Sequence, residues 1–340
     1  MECGKQMKVP NGCTSGIRCT PIIRNTTKYT KKRLALTILL FTVVFSAILS
    51  ACLLIPREQT DLGPGDTYGI VSLPGVQLLF HSSGKGLPEF SRIDPADGAV
   101  PRIAGLASSQ RKYAVLFNQK EAKIYDCGKY MSGYRNDDGL TTVSSFIADE
   151  DSDGNDDIFL LLGKESKAYG EQLIVLGFDG KEVNETYDMS FQKLNPWKVQ
   201  VCDVDGDGKK EVSLGVYTMA KYHQVYAKRP FLYEFHDHKL YPKWLGSRLS
   251  QPFDDYVFCD VDSDGMDELV SLETMRDGKK ELNAYKWTGF GFESIAVSQA
   301  YDMIRDLAAD GRSVTAVCGG PAATESKTFL YQNSKIEMKG

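Results

Sequence analysis

Histidine is scarce in this chain: His81, His223, His236 and His238 are all that 340 residues contain. No G-x-S-x-G, no H-E-x-x-H and no phosphate-cradling glycine loop occurs, so the usual nucleophile-elbow, zinc-peptidase and P-loop chemistries lack their residues. A C-x-x-C or Cys/His spacing that would hold zinc is missing as well. His236-Asp237-His238 falls where a hairpin turn is expected, and it reads as ordinary turn polarity. The body of the chain has no basic patch interleaved with aromatics, and the net charge is −5, which speaks against nucleic acid as a partner.

Long apolar runs are absent too, with one exception. Leu34 to Ile55 is twenty-two residues without a charge, enough at about 1.5 Å per residue to cross a hydrocarbon core roughly 30 Å thick. Residues 1–33 hold eight Lys or Arg against a single acid, Glu2. The positive-inside rule then reads 1–33 as a cytoplasmic basic segment, 34–55 as a transmembrane helix or signal-anchor and 56–66 as a linker, with residues 67–340 outside. Leu49-Ser50-Ala51-Cys52 also resembles a bacterial lipobox, which would make Cys52 a lipidated amino terminus after cleavage. Either route holds the body of the protein at the outer surface of a membrane.

What the chain has in abundance is one acidic pattern, D-x-D-x-D-G-x-x-[DE], present three times. It begins at Asp149 (Asp151, Asp153, Gly154, Asp157), at Asp203 (Asp205, Asp207, Gly208, Glu211) and at Asp260 (Asp262, Asp264, Gly265, Glu268). Alternating carboxylates before a glycine suit Ca²⁺, a hard cation that takes six to eight oxygens and needs the backbone to turn sharply at position 6. The same pattern opens an EF-hand, but position 12 is Leu160, Leu214 or Ser271 rather than a bidentate Glu. The residues that follow (Ile158–Leu162, Val212–Val216, Leu269–Leu272) read as strands rather than helices. The EF-hand reading fails on both counts.

The loops recur every 54 to 57 residues, a period that calls for a search for decayed copies. Asp306 to Val314 keeps positions 1, 5 and 6, and it reads as a fourth loop that has lost its cation. Ile103 to Leu116 aligns without gaps to Ile147 to Leu160 with every acid gone, which makes a fifth. Between loops each unit carries a hairpin: around Asp179-Gly180, a two-residue turn signal, then Phe231–Leu240, Leu282–Phe292 and Phe329–Ile336. Strand, loop, strand and hairpin give four strands per unit, as in a propeller blade. The expected fold is all-β and β-propeller-like, with five four-stranded blades and room for a sixth. Asp66–Arg92 supplies strands that close the ring with the last blade. Trp197, Trp244 and Trp287 recur in successive blades, 47 and 43 residues apart, and read as blade packing. Outside the membrane lie Cys127, Cys202, Cys259 and Cys318; Cys202 and Cys259 each precede a loop at the place of Ala148, which favours packing over a bridge. Asn184-Glu185-Thr186 fits a glycosylation acceptor.

These acidic loops, each between apolar strands, resemble the FG-GAP/VCBS repeats of integrin-type β-propellers over roughly residues 100–340. The resemblance implies that each loop joins neighbouring strands of a blade and binds Ca²⁺ structurally. The implied ligands are Asp149, Asp151, Asp153 and Asp157; Asp203, Asp205, Asp207 and Glu211; Asp260, Asp262, Asp264 and Glu268. The carbonyls of Asn155, Lys209 and Met266 complete the three shells. The expected role is a membrane-anchored, calcium-binding module that binds a protein or polysaccharide ligand. The alternatives are a surface polysaccharide lyase or hydrolase that uses the propeller as scaffold, and a structural part of an envelope complex.

Overall fold

Among the described residues, short segments with apolar side chains on one or both faces form strands, joined by turns and one short 3-10 helix (Gln192–Leu194). The computed structural model describes residues 67–73, 76–82, 89–93, 100–106, 111–126, 129–320, 323–332 and 335–338. The segments 1–33, 34–55 and 56–66, with Cys52, lie outside the described residues, as does Cys127. Among the described residues no helix is long and apolar enough to cross a membrane.

Six antiparallel sheets follow one another along the chain. The first has three strands, β1 (Thr67–Leu73), β2 (Val76–Ser82) and β3 (Glu89–Ile93). The second holds β4 (Val100–Leu106), β5 (Arg111–Phe117), β6 (Glu121–Asp126) and β7 (Lys129–Arg135). The third holds β8 (Leu140–Ala148), β9 (Asp157–Lys164), β10 (Gln172–Phe178) and β11 (Val183–Ser190). The fourth holds β12 (Pro196–Cys202), β13 (Glu211–Ala220), β14 (His223–His236) and β15 (Lys239–Leu245). The fifth holds β16 (Phe253–Cys259), β17 (Glu268–Thr274), β18 (Lys280–Trp287) and β19 (Phe292–Val297). The sixth holds β20 (Met303–Asp310), β21 (Ser313–Gly320), β22 (Ala323–Gln332) and β23 (Lys335–Met338).

Each sheet is a meander, and from the second sheet to the sixth, successive sheets pack face to face with a core between each pair. Strand β9 shows why: Ile158, Leu160 and Leu162 face the second sheet, while Phe159 and Leu161 face the fourth. A strand buried on both sides reads as a continuous apolar run, as this one does. The core between the fifth and sixth sheets is Val270, Leu272, Leu282 and Ala284 against Ile304, Val314, Ala316 and Phe329. The arrangement is propeller-like.

Four expectations need correction. The sixth sheet takes all four strands from residues 303–338, and β1 to β3 form a sheet of their own rather than completing the last one. The Asp306 segment is no loop: β20 runs through it with a bulge at Asp306 (φ 56°) and pairs Asp310 with Ser313 across a two-residue turn. The Asp179 hairpin closes by a four-residue loop, because Phe178 pairs with Val183 and the Asp179 side chain caps Lys181 and Glu182. The three tryptophans do pack, but they converge on one interface, between the fourth and fifth sheets. There Trp244 meets Trp287 edge to face at 6.3 Å. Their spacing was a coincidence of chain length, since they stand on a first, a fourth and a third strand.

Other parts hold. Ala104 pairs with Tyr113 as Ala148 does with Asp157, Cys202 with Glu211 and Cys259 with Glu268, so the gapless alignment of the acid-free copy is matched in register. Cys202, Cys259 and Cys318 are free, buried thiols. Burial pushes the Cys259 thiol up to about 12.

Candidate metal centre

The three acidic loops each join the first and second strands of their sheet, and all three share one backbone path. Position 4 is left-handed in every copy (Ser152 φ 60°, Gly206 φ 69°, Ser263 φ 68°), and so is the position-6 glycine (Gly154 φ 87°, Gly208 φ 81°, Gly265 φ 89°). Glycine takes that conformation freely; serine does so at a cost that surrounding bonds must offset. Those bonds recur. The position-6 N–H donates to the position-1 carboxylate at 2.9, 3.1 and 3.2 Å. The position-7 N–H donates to the position-5 carboxylate at 2.7, 2.8 and 3.0 Å. Asx-type bonds of this kind close a turn from the side-chain side. The second left-handed residue is a feature that sequence reading missed; only Gly206 hinted at it.

The loops also interlock along one edge of the stacked sheets. The Ser152 hydroxyl donates to the Gly208 carbonyl at 3.0 Å. The Asp203 N–H donates to Asp267 Oδ2 at 2.8 Å, and the Asp267 N–H returns to the Asp203 carbonyl at 2.7 Å. A side chain at Gly206 would run into Met266. Asp267 was not singled out from the sequence. Its carboxyl is pushed up by burial, against the hydrogen bond from Asp203.

The carboxylates converge differently in the three copies. Asp149, Asp151 and Asp153 bring oxygens within 4.8 Å of one another in the first loop. In the second and third, the convergent sets are Asp203, Asp205, Glu211 and Asp260, Asp262, Glu268. Asp207 thus stays outside its trio, and so does Asp264, though a lysine links Asp264 to Asp262. Asn155 turns its side-chain amide onto Asp153 at 3.0 Å. Met266 packs on Gly206, and Lys209 enters only through its backbone bond.

Position 9 anchors the second and third sites, whereas Asp157 lies outside the convergent trio of the first. Glu211 and Glu268 are buried, and each accepts the N–H of a core valine, Val204 at 3.1 Å and Val261 at 3.0 Å. Burial, with Asp262 nearby, pushes the Glu268 carboxyl up to about 7 although Lys286 pulls it down. In the first loop the shorter Asp157 is hydrogen-bonded to Glu150, which replaces the valine. Burial and that shared bond push Asp157 up to about 9, and burial raises Glu150 as well. Glu150 stands at a variable position of the motif, yet it is only 6% exposed.

Two lysines complete the second and third sites, and neither was foreseen. Lys243 of β15 donates to Asp205 Oδ2 at 2.5 Å and to Glu211 Oε1. Lys286 of β18 donates to Asp262 Oδ2 at 2.7 Å and to Asp264 Oδ2, with Glu268 Oε1 at 3.5 Å. Burial lowers the pKa of each ammonium, but the carboxylate hydrogen bonds outweigh it and push both well up. Hard oxygens at this density suit Ca²⁺ by donor chemistry. Asp149 Oδ1, Glu150 Oε2 and Asp205 Oδ1 are buried without a hydrogen-bond partner, as an ion's ligands would be before it binds.

Two other surfaces bear on function. A cavity of about 460 Å³ beside the second loop is lined by Asp205, Glu234, Lys243, Met266, Trp287 and Gly289. A row of tyrosines runs onto the long β13–β14 hairpin: Tyr169, between β9 and β10, stacks on Tyr217 of β13 at 5.5 Å, and Tyr217 meets Tyr226 of β14 at 5.7 Å. Tyr222, Val225 and Tyr226 are exposed at its end. Beneath them the fully buried Arg229 ties the hairpin by donating to the carbonyls of Thr218, His223 and Val225.

No protein-family model and no curated protein matches the chain. Among solved structures, the chain is similar to one described as a crystal structure of BBS1N in complex with ARL6DN, soaked with lead. The sequence identity is 9% and the TM-score 0.44, with 81% of this chain and 91% of that one covered.

Proposed function

We propose that this chain is a calcium-binding β-propeller of the FG-GAP/VCBS kind, held at the outer face of a membrane through residues 34–55 or a lipid on Cys52, and that it works as a binding or scaffold module. The observation that carries the calcium reading is the shared geometry of three loops, with the same two left-handed positions, the same carboxylate-to-amide bonds and convergent acids. Ca²⁺ binding the folded state alone would add about 2.7 kcal/mol at a hundredfold excess over Kd. The melting temperature of the full chain is therefore expected to fall when calcium is replaced by excess EGTA. Superposed melting curves would end the calcium reading.

Binding rather than catalysis is favoured by the end of the β13–β14 hairpin, where Tyr222 and Tyr226 stand in solvent on a strand pair tied by Arg229. Exposed aromatic clusters of this kind mark ligand or partner sites. The enzyme reading draws on the cavity with Asp205, Glu234 and Lys243, but Lys243 is already engaged by Asp205 and Glu211. A Tyr222→Ala/Tyr226→Ala variant of the full chain should lose polysaccharide or protein partners captured by the wild type. Retention of every partner would count against this surface.

A further inference from the structure

The three loops differ in one respect that bears on how each meets a cation, and the difference arises on strands remote from the loops. In four consecutive sheets the third and fourth strands share a bulge, between Ile124 and Tyr125, Val175 and Leu176, Leu232 and Tyr233, and Ala284 and Tyr285. The bulge leaves one fourth-strand residue without a ladder partner: Met131, Thr186, Lys243 or Ile295 in turn. Another equivalent place lies opposite position 9 on the third strand. Glu234 pairs with Glu211 there in the fourth sheet, and the next residue past the last ladder pair is Gly177 in the third (after Leu176–Ile158) and Lys286 in the fifth (after Tyr285–Leu269).

The second loop therefore receives an ammonium from the bulge place (Lys243), and the third receives one from the third strand (Lys286). The first has Thr186 and Gly177 at those two places. That they are the same places is visible in the contacts, since a Cβ on Gly177 would lie 3.3 Å from Asp157 Oδ1 and 3.2 Å from the Thr186 methyl. The first loop meanwhile has six acids between Asp149 and Asp157 and no base. Asp149 Oδ1 is unpaired, as is Oε2 of the almost fully buried Glu150.

We propose that Lys243 and Lys286 are resident counter-ions that occupy the second and third sites in the calcium-free protein, so that only the first loop requires Ca²⁺. The inference rests on the calcium reading above. In the second loop Lys243 uses one oxygen each of Asp205 and Glu211; in the third Lys286 uses one each of Asp262 and Asp264. Ca²⁺ needs six to eight oxygens, so it can enter those loops only by displacing an ammonium held by charge-assisted hydrogen bonds. The first loop presents its oxygens with no ammonium to displace. Its like charges repel until an ion arrives.

The test is calcium stoichiometry and affinity of the full chain by equilibrium dialysis, with melting temperature in calcium and in EGTA read alongside. Wild type should bind one Ca²⁺ at least about tenfold more tightly than any other, a gap of about 1.4 kcal/mol. Lys243→Met and Lys286→Met should each bring one further site up to that affinity. Thr186→Lys, which copies the Lys243 arrangement into the first loop, should remove the tight site and the sensitivity of the melting temperature to EGTA. This last variant keeps both native lysines, so it decides the matter even where a Lys→Met protein does not fold. Three equivalent sites in wild type, unmoved by Thr186→Lys, would overturn the inference and leave the calcium reading standing. No calcium bound by wild type or by either Lys→Met variant would overturn both.

Discussion

The fifth and sixth sheets share one hydrophobic core yet enter it through different first turns. In the fifth, β16 and β17 are joined by the eight-residue acidic loop 260–267, in which Val261 dips into the core and Asp267 holds the neighbouring loop. In the sixth, the segment with the remnant of that motif runs on as strand and turns in two residues at Gly311 and Arg312. Both hairpins contribute buried residues to that core. A sheet of this molecule is held by its faces, and the acidic loop is an attachment to the edge that the sheet can lose.

Breaking the shared face should have the largest effect. Leu282 is fully buried in the core between the two sheets. Leu282→Ala is expected to destabilise the protein by about 2–5 kcal/mol in denaturant unfolding, with or without calcium, because it leaves a cavity between faces rather than altering a loop. A loss that calcium reverses would mean the loops, and not the faces, carry the fold.

A smaller effect is expected from the edge. Glu268→Ala removes the acceptor of the Val261 N–H and two-sided support for Lys286, leaving a buried donor unpaired at a cost of about 1–3 kcal/mol. The loss should appear in the stability of the fifth sheet and in its hydrogen exchange, with the sixth sheet's amides unchanged. Equal exchange in both sheets would show that the edge is not separable from the face. The smallest effect belongs to the lost loop itself. Asp306→Gly replaces a residue at φ 56° whose carboxylate meets only the exposed Arg305, so the change should be below about 1 kcal/mol and should not alter calcium binding.

Much of the fold was legible because its signals are local. Alternating and doubly apolar strands, the Asp-rich turns and a period near 55 residues each depend on neighbours in sequence, and they led to successive four-stranded sheets. The sixth sheet's first turn was misread because Asp306, Asp310 and Gly311 keep the letters of the loop. Register decided otherwise, pairing Arg305 with Val317 and sliding the turn to Gly311. The tryptophans pack as expected, but they do not fall in successive blades: spacing says how far apart residues are along the chain, not on which strand of a sheet they land.

The candidate site was legible as a list of acids and illegible as a set of charges. That Asp149, Asp203 and Asp260 each begin a turn closed by a glycine follows from the side-chain chemistry of a few adjacent residues, and the sequence alone determined it. Which acids converge, and what already neutralises them, only the tertiary structure decided. Lys286 lies 22 residues beyond Asp264, and Lys243 lies 38 beyond Asp205; strand pairing and a bulge carry both ammonium groups back to the loops. The same pairing carries Gly177 and Thr186 to the first loop and brings it no charge. Electrostatic energy depends on distance in space, and in a sheet that distance is set by register between strands, which no local pattern specifies.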